Sequence, residues 1–139
     1  MDAKTTLKNA ILFHGHLGPY LVLGVRAGEL ALKKLKVKKY FTISVQVWGA
    51  TKRPKSCLVD GLQLSTGATY GKGNIEKFPG SRIKMFFRNT RRNNCIELTL
   101  RNDVATSLNG LKGHRDSEVY ARKLFKVPAK DLFNSTPNT

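Results

Sequence analysis

The stretch GPYLVLGVRAGELALKKL, residues 18–35, predicts a helix that packs closely against another part of the chain. Pro19 disfavours helical geometry at Gly18 and suits the first turn of a helix itself. Small residues then recur at spacings of three and four, which place them on one stripe of the helix; they are Gly24, Ala27, Gly28 and Ala31. A stripe without bulky side chains lets another backbone approach closely, so we expect the first turns of this helix to be buried.

Two further helices are predicted on either side of this one. Upstream, LKNAILFH (7–14) is helical in pattern, with Thr5 or Thr6 as its cap. Downstream, SCLVDGLQLSTG (56–67) has Ser56 in a capping position and ends near Gly67. A last amphipathic helix is predicted around DSEVYARKLF (116–125), ending before Pro128.

Three strands are predicted from alternation of apolar and polar residues. FTISVQVW (41–48) places Phe41, Ile43, Val45 and Val47 on one face. RIKMFFRN (82–89) and NCIELTLRN (94–102) alternate in the same way, and the short TRRN between them predicts a hairpin. Strands with one apolar face need helices on that face. We therefore predict an α+β fold: a two-layer core, with helices packed on one face of a mixed, largely antiparallel sheet, in one domain over residues 1–139.

Charge is the strongest signal in the composition. Twenty-five Lys and Arg against nine Asp and Glu give a net charge of +16, and the predicted polar face of the sheet is also basic. A thermophile-like surface stabilised by ion-pair networks would need more acidic residues than this chain has. Such a field attracts anionic small molecules, an acidic protein partner or nucleic acid. Nucleic acid is the less favoured of these, because no aromatic signature of a known RNA-binding module is present.

Length and cysteine content narrow the class of protein further. The longest apolar run, YLVLGV, is much shorter than the roughly 20 residues that a bilayer requires. The first residues show neither a sustained apolar segment nor a small-residue cleavage site. Two cysteines do not make a disulfide framework. We expect a cytoplasmic protein with free thiols and no membrane association.

The segment FHGHLGPY (13–20) carries the first candidate site residues, His14 and His16. Glycine between them and Gly18-Pro19 after them indicate that the helix has ended, and in a turn residues i and i+2 can converge. Two neutral imidazoles are good ligands for zinc, nickel or iron. The alternative is a helix end whose histidines bond carbonyl groups or water, because two ligands do not fill a tetrahedral site.

Cys57 is the second candidate, as a nucleophile or a ligand. At the first position of a helix, free backbone N–H groups and the helix dipole would favour its thiolate, and basic residues lie just upstream. Asp60, one turn later, could orient a histidine or accept a proton. The alternative for Cys57 is a small side chain that fills space. Cys95 lies on the polar face of a strand and is predicted to be incidental.

A third candidate is the glycine turn in TGATYGKGNI (66–75), which presents Gly71, Lys72, Gly73 and Asn74. It lacks the spacing of a phosphate-binding Walker loop. The turn could contact an anion, as part of a cofactor site, or could simply shape the connection.

Two of these stretches together resemble the FmdE family, which takes its name from one component of formylmethanofuran dehydrogenase. They are FHGHLGPYLVLGVRAGELAL (13–32) and CLVDGLQLSTGATYGKGN (57–74), and the resemblance extends over roughly residues 7–125. It implies an α+β, GAPDH-domain-like core, a homodimer, and a metal site formed by His14, His16 and Cys57. Asp60 and the Gly71 to Asn74 turn would lie nearby. The implied role is that of an accessory subunit or stand-alone relative in one-carbon or redox metabolism.

Departures from the family pattern leave two hypotheses open. The family typically has cysteine where this chain has Gly18 and again where it has Ala68, and we expect only the core, without the family's zinc-finger extension. Two histidines and one cysteine can still hold zinc, with water in the fourth position. If the site is vestigial and holds no metal, the alternative is a basic binding module for nucleic acid or an acidic protein.

Overall fold

Five α-helices and a five-stranded sheet make up the computed structural model, which describes residues 3–138. The helices are α1 (Ala3–His14), α2 (Pro19–Leu35), α3 (Cys57–Thr66), α4 (Asn102–Asn109) and α5 (Gly113–Lys126). The strands are β1 (Ile43–Trp48), β2 (Ile75–Phe78), β3 (Lys84–Asn89), β4 (Cys95–Leu100) and β5 (Phe133–Asn138). The sheet order is β2-β1-β3-β4-β5; β2 runs parallel to β1, and the other neighbours are antiparallel. The α+β class and the mixed, largely antiparallel sheet are as predicted.

The alternation of the three predicted strands sets which face of the sheet enters the core. Val45 of β1 lies opposite Phe87 of β3, which in turn lies opposite Ile96 of β4, and all three are buried. Phe41 was predicted to share this face, but it precedes β1 and its side chain is 80% exposed. The residue before it, Tyr40, has a φ of 91°, so the alternation does not extend back to Phe41.

The opposite face of the sheet is less basic than predicted. Of its cations, Lys84 lies 3.8 Å from the carboxylate of Glu97 on the neighbouring strand. The side chains of Trp48 and Phe78 stack on each other, with ring centroids 5.2 Å apart. This face is therefore a mixture of half-buried aromatic and polar groups rather than a field of positive charge.

The crossing of α2 over α3 is so close that it depends on glycine. A Cβ atom added at Gly24 would overlap the carbonyl oxygen of Leu58, and one added at Gly61 would overlap that of Leu21. One turn further on, the hydroxyl of Ser65 donates a hydrogen bond of 3.2 Å to the carbonyl oxygen of Gly24. The small-residue stripe thus has the predicted consequence: the first turns of α2 are buried, and α3 is held against them.

Three elements were not predicted, and two predicted helix caps are wrong. The predictions did not include β2, β5 or α4, whereas α5 lies around the predicted stretch 116–125 and starts three residues before it. Helix α1 begins at Ala3, so Thr5 and Thr6 lie inside it rather than capping it. Ser56 precedes α3 but makes no capping hydrogen bond through its side chain, because its backbone is already helical. The predicted end of α3 is confirmed by Gly67, whose φ is 76°.

This arrangement brings distant segments to one end of the molecule. The end of α1 and the start of α2 meet the start of α3 there, and the α4–α5 connection lies beside them. Among the residues that the structure describes, no helix has the length and apolarity needed to cross a membrane.

Candidate metal and ligand site

A cavity of about 480 Å³ lies where these segments meet. Its lining residues come from segments 14–20, 54–57 and 108–117, which belong to five different helices and their connections. Three of the predicted site residues border it, namely His14, His16 and Cys57. Segments far apart in the sequence therefore contribute to one concave site, as small-molecule sites commonly require.

His14 is placed by the end of α1. The N–H of Gly15 donates to the carbonyl oxygen of Ile11 at 2.8 Å, and Gly15 then takes a φ of 107°, which terminates the helix. Glycine adopts such a positive φ without the steric cost that other residues incur. Gly18 is extended, with φ −137° and ψ 159°, and leads directly into Pro19 at the start of α2. The chain reversal holds His14 against the side of α3.

Asp60 fixes the orientation of the His14 ring. The Nδ1 atom of His14 lies 2.6 Å from Oδ2 of Asp60, and both side chains are partly buried. A carboxylate only accepts hydrogen bonds, so the Nδ1 atom carries the proton, and in a neutral imidazole Nε2 then presents its lone pair. That Nε2 atom is buried and has no hydrogen-bond partner among the described residues.

His16 lies next to His14 on the same cavity. The centroids of the two rings are 4.8 Å apart, with 38° between their planes. His16 is exposed, in contrast to His14, whose side chain is only 11% exposed. The turn at Gly15 therefore lets residues i and i+2 approach, although on a continuous helix they would point apart.

The surroundings of Cys57 differ from those predicted. Its thiol was expected to be activated at a helix start, but burial raises its pKa, and the nearby Asp60 carboxylate raises it further. Arg53 and the backbone N–H of Cys57 act in the opposite direction without reversing the shift. The backbone N–H groups of residues 56 to 59 already donate to carbonyl oxygens of the preceding turn, at 3.0 to 3.1 Å. The helix start therefore has few free donors to stabilise a thiolate.

We expect Cys57 to be alkylated slowly at neutral pH in metal-free protein. A raised pKa leaves less of the reactive thiolate than an ordinary cysteine has, so the alkylation rate should reach half its maximum at a higher pH than for an unperturbed thiol, whose pKa is about 8.5. A Cys95→Ser variant leaves Cys57 as the remaining cysteine. Iodoacetamide labelling of this variant, followed by mass spectrometry, should be slower in the folded chain than in urea. Equal rates would contradict the burial of this thiol.

The Gly71–Asn74 turn does not border the cavity. The side-chain oxygen of Asn74 accepts a hydrogen bond from the Thr69 N–H, and its NH₂ group donates to the carbonyl oxygens of Tyr40 and Ile43. These bonds tie the turn to the start of β1 and to the segment just before it, at the other end of α3. The alternative interpretation, a turn that shapes the connection, describes Asn74 better than a cofactor contact does.

One candidate metal ligand at the cavity was absent from the sequence prediction, namely His114. It lies in the first turn of α5, is exposed, and borders both the main cavity and a neighbouring cleft that His16 also lines. All three histidines of the chain therefore face one region. Only the rarity of histidine in this sequence could have pointed to His114.

The donor atoms around the cavity do not form a complete set of metal ligands in the described residues. Among the described residues, no three side chains of His, Cys, Asp or Glu lie close enough together to hold a metal ion. What fits a metal is His14, whose buried Nε2 is unpartnered and whose Nδ1 is held by a carboxylate. Metal-bound histidines almost always carry such a hydrogen bond on the second nitrogen.

Comparison with known proteins agrees with this fold. A probable S-adenosyl-L-methionine-binding protein from Archaeoglobus fulgidus is 39% identical over 64 residues, which are 45% of this chain and 18% of that protein. The chain thus spans less than a fifth of that relative's length. The crystal structure of a tungsten formylmethanofuran dehydrogenase FmdE-like protein from Syntrophus aciditrophicus matches with a TM-score of 0.72 at 17% identity. That match covers 100% of this chain and 73% of the other, and shows the shared fold.

The family comparison covers most of the sequence. Residues 13–134 match the family FmdE, described as molybdenum formylmethanofuran dehydrogenase operon. The matched range includes the HGHLGP segment, all of α3 and the glycine turn after it. The chain belongs to the FmdE family.

Proposed function

We propose that this FmdE-family chain binds a divalent transition metal in the cavity, with Nε2 of His14 as the first ligand. The observation that carries the proposal is the pairing of a buried, unpartnered Nε2 with the 2.6 Å contact from Nδ1 to Asp60. A buried polar atom without a partner costs about 1–3 kcal/mol. A metal ion would remove that cost, and Asp60 would hold the ring in the orientation and tautomer that present Nε2 to the ion.

His16 and Cys57 are the proposed further ligands, as the family resemblance implies, and His114 is a third candidate. All three border the same cavity as His14, which supports them as donors to one ion. Nitrogen and sulfur donors favour zinc, with nickel and iron as the competing metals. Cys57 would bind as a thiolate despite its raised pKa, because metal binding releases the thiol proton.

The cavity is larger than a metal ion needs, which supports a small organic ligand beside it. Leu17, Tyr20 and Leu111 provide apolar walls, and Lys55 adds a positive charge at the border. An anionic substrate fits this charge and the net charge of +16. A bound divalent ion would supply Lewis-acid polarisation of an oxygen on that substrate. We propose the corresponding role as an accessory or stand-alone protein of one-carbon or redox metabolism.

S-adenosylmethionine is a second candidate occupant, suggested by the name of the Archaeoglobus relative. The cavity volume of about 480 Å³ supports this candidate, since a lone metal ion would leave most of that space to another ligand. Isothermal titration separates the candidates: zinc binding that depends on His14 supports the metal site. Binding of S-adenosylmethionine to metal-free protein, unchanged by zinc, would support the second candidate instead.

The test of the metal proposal is the zinc affinity of an Asp60→Asn variant. Asparagine keeps the shape but loses the charge that orients and polarises His14, so we expect zinc to bind about 10- to 100-fold more weakly. The measurement is competition with a chromogenic chelator, on protein purified without an affinity tag. Asp131→Asn, on an exposed residue that does not line the cavity, is the matched control and should leave the affinity unchanged. Equal affinities for all three proteins would contradict the proposal.

The predicted homodimer stays a proposal, supported by the family resemblance. The sheet face opposite the helices is the surface we assign to it, since Trp48, Phe78 and Phe86 are half-buried there without lying in the core. Half-buried aromatic groups of this kind are common in subunit interfaces.

A further inference from the structure

A second cleft, of about 460 Å³, combines exposed aromatic rings with positive charge. It lies between the connection from α2 to β1 and the tip of the β3–β4 hairpin, and it shares no residue with the histidine cavity. We call this surface the aromatic–basic patch and define it by Lys36, Lys38, Tyr40, Phe41, Lys72, Arg91 and Arg92.

The aromatic groups of the patch are large and uncovered. The side chain of Phe41 is 80% exposed and that of Tyr40 is 52% exposed. The Lys72 ammonium lies 5.5 Å from the centroid of the Phe41 ring and 5.9 Å from that of the Tyr40 ring. Adjacent exposed aromatic rings with a cation above them are a feature of binding surfaces rather than of ordinary protein surface.

The backbone is strained where it presents these rings. Tyr40 has a φ of 91°, which is a costly conformation for a residue with a bulky side chain. Its N–H donates to the carbonyl oxygen of Thr66 at 2.9 Å, and its own carbonyl accepts from the NH₂ group of Asn74 at 2.8 Å. Such strain persists only where the surroundings over-determine it, and it concentrates at functional sites. The glycine turn that ends in Asn74 thus helps to hold Tyr40 of this patch in its conformation.

The hairpin side of the patch is held by hydrogen bonds as well. The side-chain oxygen of Asn89, a buried residue, accepts hydrogen bonds from the backbone N–H groups of Arg91 and Arg92 at 3.0 and 3.3 Å. These bonds fix the turn, while both arginine side chains remain exposed. The backbone from which the two guanidinium groups extend is therefore held by hydrogen bonds at the edge of the cleft.

No carboxylate lines the cleft among the described residues. Lys39 also lines the cleft, but it is half-buried and its ammonium donates to the carbonyl oxygen of Leu64. The exposed Lys72 ammonium donates to the hydroxyl of Thr69. The carboxylate of Glu29 interacts with Lys39 and with Arg26, on the side of α2. The exposed cations of the patch are thus left to attract a negatively charged partner.

We propose that the aromatic–basic patch binds single-stranded nucleic acid. Unpaired bases can stack on Phe41 and Tyr40, while the arginines and lysines around them neutralise phosphates. A duplex would hide the faces of its bases from these rings, and an acidic peptide would need the cations but not two exposed aromatic rings. The combination of both kinds of group on one surface favours single strands over either of these partners.

The first test measures stacking. Fluorescence anisotropy with labelled 12-nucleotide oligouridylate should detect binding at 50 mM salt, and Phe41→Leu should weaken it about tenfold, since leucine keeps an apolar surface but cannot stack. Phe41→Trp should retain the affinity. Val119→Ala, on a residue 63% exposed on α5, is the control for loss of an exposed apolar group. No detectable binding, or equal affinity of the wild type and Phe41→Leu, would overturn the proposal.

The second test measures phosphate contacts. The double variant Arg91→Gln/Arg92→Gln should reduce the slope of log affinity against log salt by about 1.4, at roughly 0.7 for each phosphate contact on a single strand. Lys123→Gln/Lys126→Gln removes the same charge from an exposed face of α5 and should change the slope far less. Equal changes in both pairs would mean attraction to net charge alone and would overturn the assignment of this site. Tighter binding of a duplex, or displacement by polyglutamate with no effect of Phe41→Leu, would replace it with another partner.

Discussion

Replacing Gly61 with alanine should lower the free energy of unfolding by about 3 kcal/mol or more. The added Cβ would overlap the carbonyl oxygen of Leu21 and would lie only 2.8 Å from the backbone nitrogen of Val25. Both atoms belong to the backbone of α2, which cannot rotate away as a side chain can. The two helices would have to separate, so the loss would be a large part of the whole stability of a domain, which is about 5–15 kcal/mol. Gly61→Leu should not fold.

Thermal and urea unfolding followed by circular dichroism provide the measurement. Gly110→Ala is the matched control, because a Cβ at this exposed glycine would approach nothing closer than 3.6 Å. Its φ of −87° also suits alanine. We expect the control to unfold like the wild type. If Gly61→Ala were as stable as Gly110→Ala, the close crossing of α2 and α3 would be wrong.

The second large effect is expected from His14→Ala, which should weaken zinc binding by more than about 100-fold. Loss of the carboxylate that supports a ligand costs about 10- to 100-fold, and loss of the ligand itself should exceed that. His16→Ala should have a smaller effect, because the His16 ring is exposed and can be replaced by water. His114→Ala should cost least, because this exposed ring lies on α5, whereas the His16 ring lies next to that of His14.

The order of the three variants is the result to check, by chelator competition on samples whose fold is confirmed by circular dichroism. Equal losses for all three histidines would indicate loose association with surface imidazoles. An unchanged affinity in His14→Ala would exclude the role proposed for its Nε2 atom.

The parts of the fold that the sequence predicts are those fixed by local periodicity. The alternation in β1, β3 and β4 identifies the buried face of the sheet, because a shift by one residue would turn every apolar side chain to the other face. The stripe of small residues in α2 likewise predicts its close contact with another helix. Phe41 breaks the pattern because the positive φ at Tyr40 depends on hydrogen bonds to Thr66 and Asn74, which come later in the sequence.

The missed elements lie where tertiary contacts, rather than periodicity, decide the conformation. Strand β2 has one buried residue, Ile75, and forms by pairing with β1. The other edge strand, β5, pairs with β4 and carries a polar sequence after Phe133. Helix α4 buries just Val104 and Leu108, which is too weak a pattern to recognise in isolation.

In the candidate site too, some features could be predicted from local sequence and others depend on tertiary contacts. Asp60 could be suggested as the partner of a histidine because it follows Cys57 by about one turn of the helix. The raised pKa of Cys57 could not be predicted in this way, since it depends on burial. The N–H groups at the helix start also donate to carbonyl oxygens of the preceding turn. The place of His114 follows from the packing of α5 against α2, which has no local signature.

Diffraction from crystals of untagged protein grown with zinc, with data collected on both sides of the zinc absorption edge, tests the metal site most directly. We expect an anomalous peak in the cavity, about 2.0–2.1 Å from Nε2 of His14, with Nδ1 of the same ring still bonded to Asp60. A peak bound only to surface groups, or a cavity without anomalous signal when zinc is in excess, would contradict the assignment of His14 as a metal ligand.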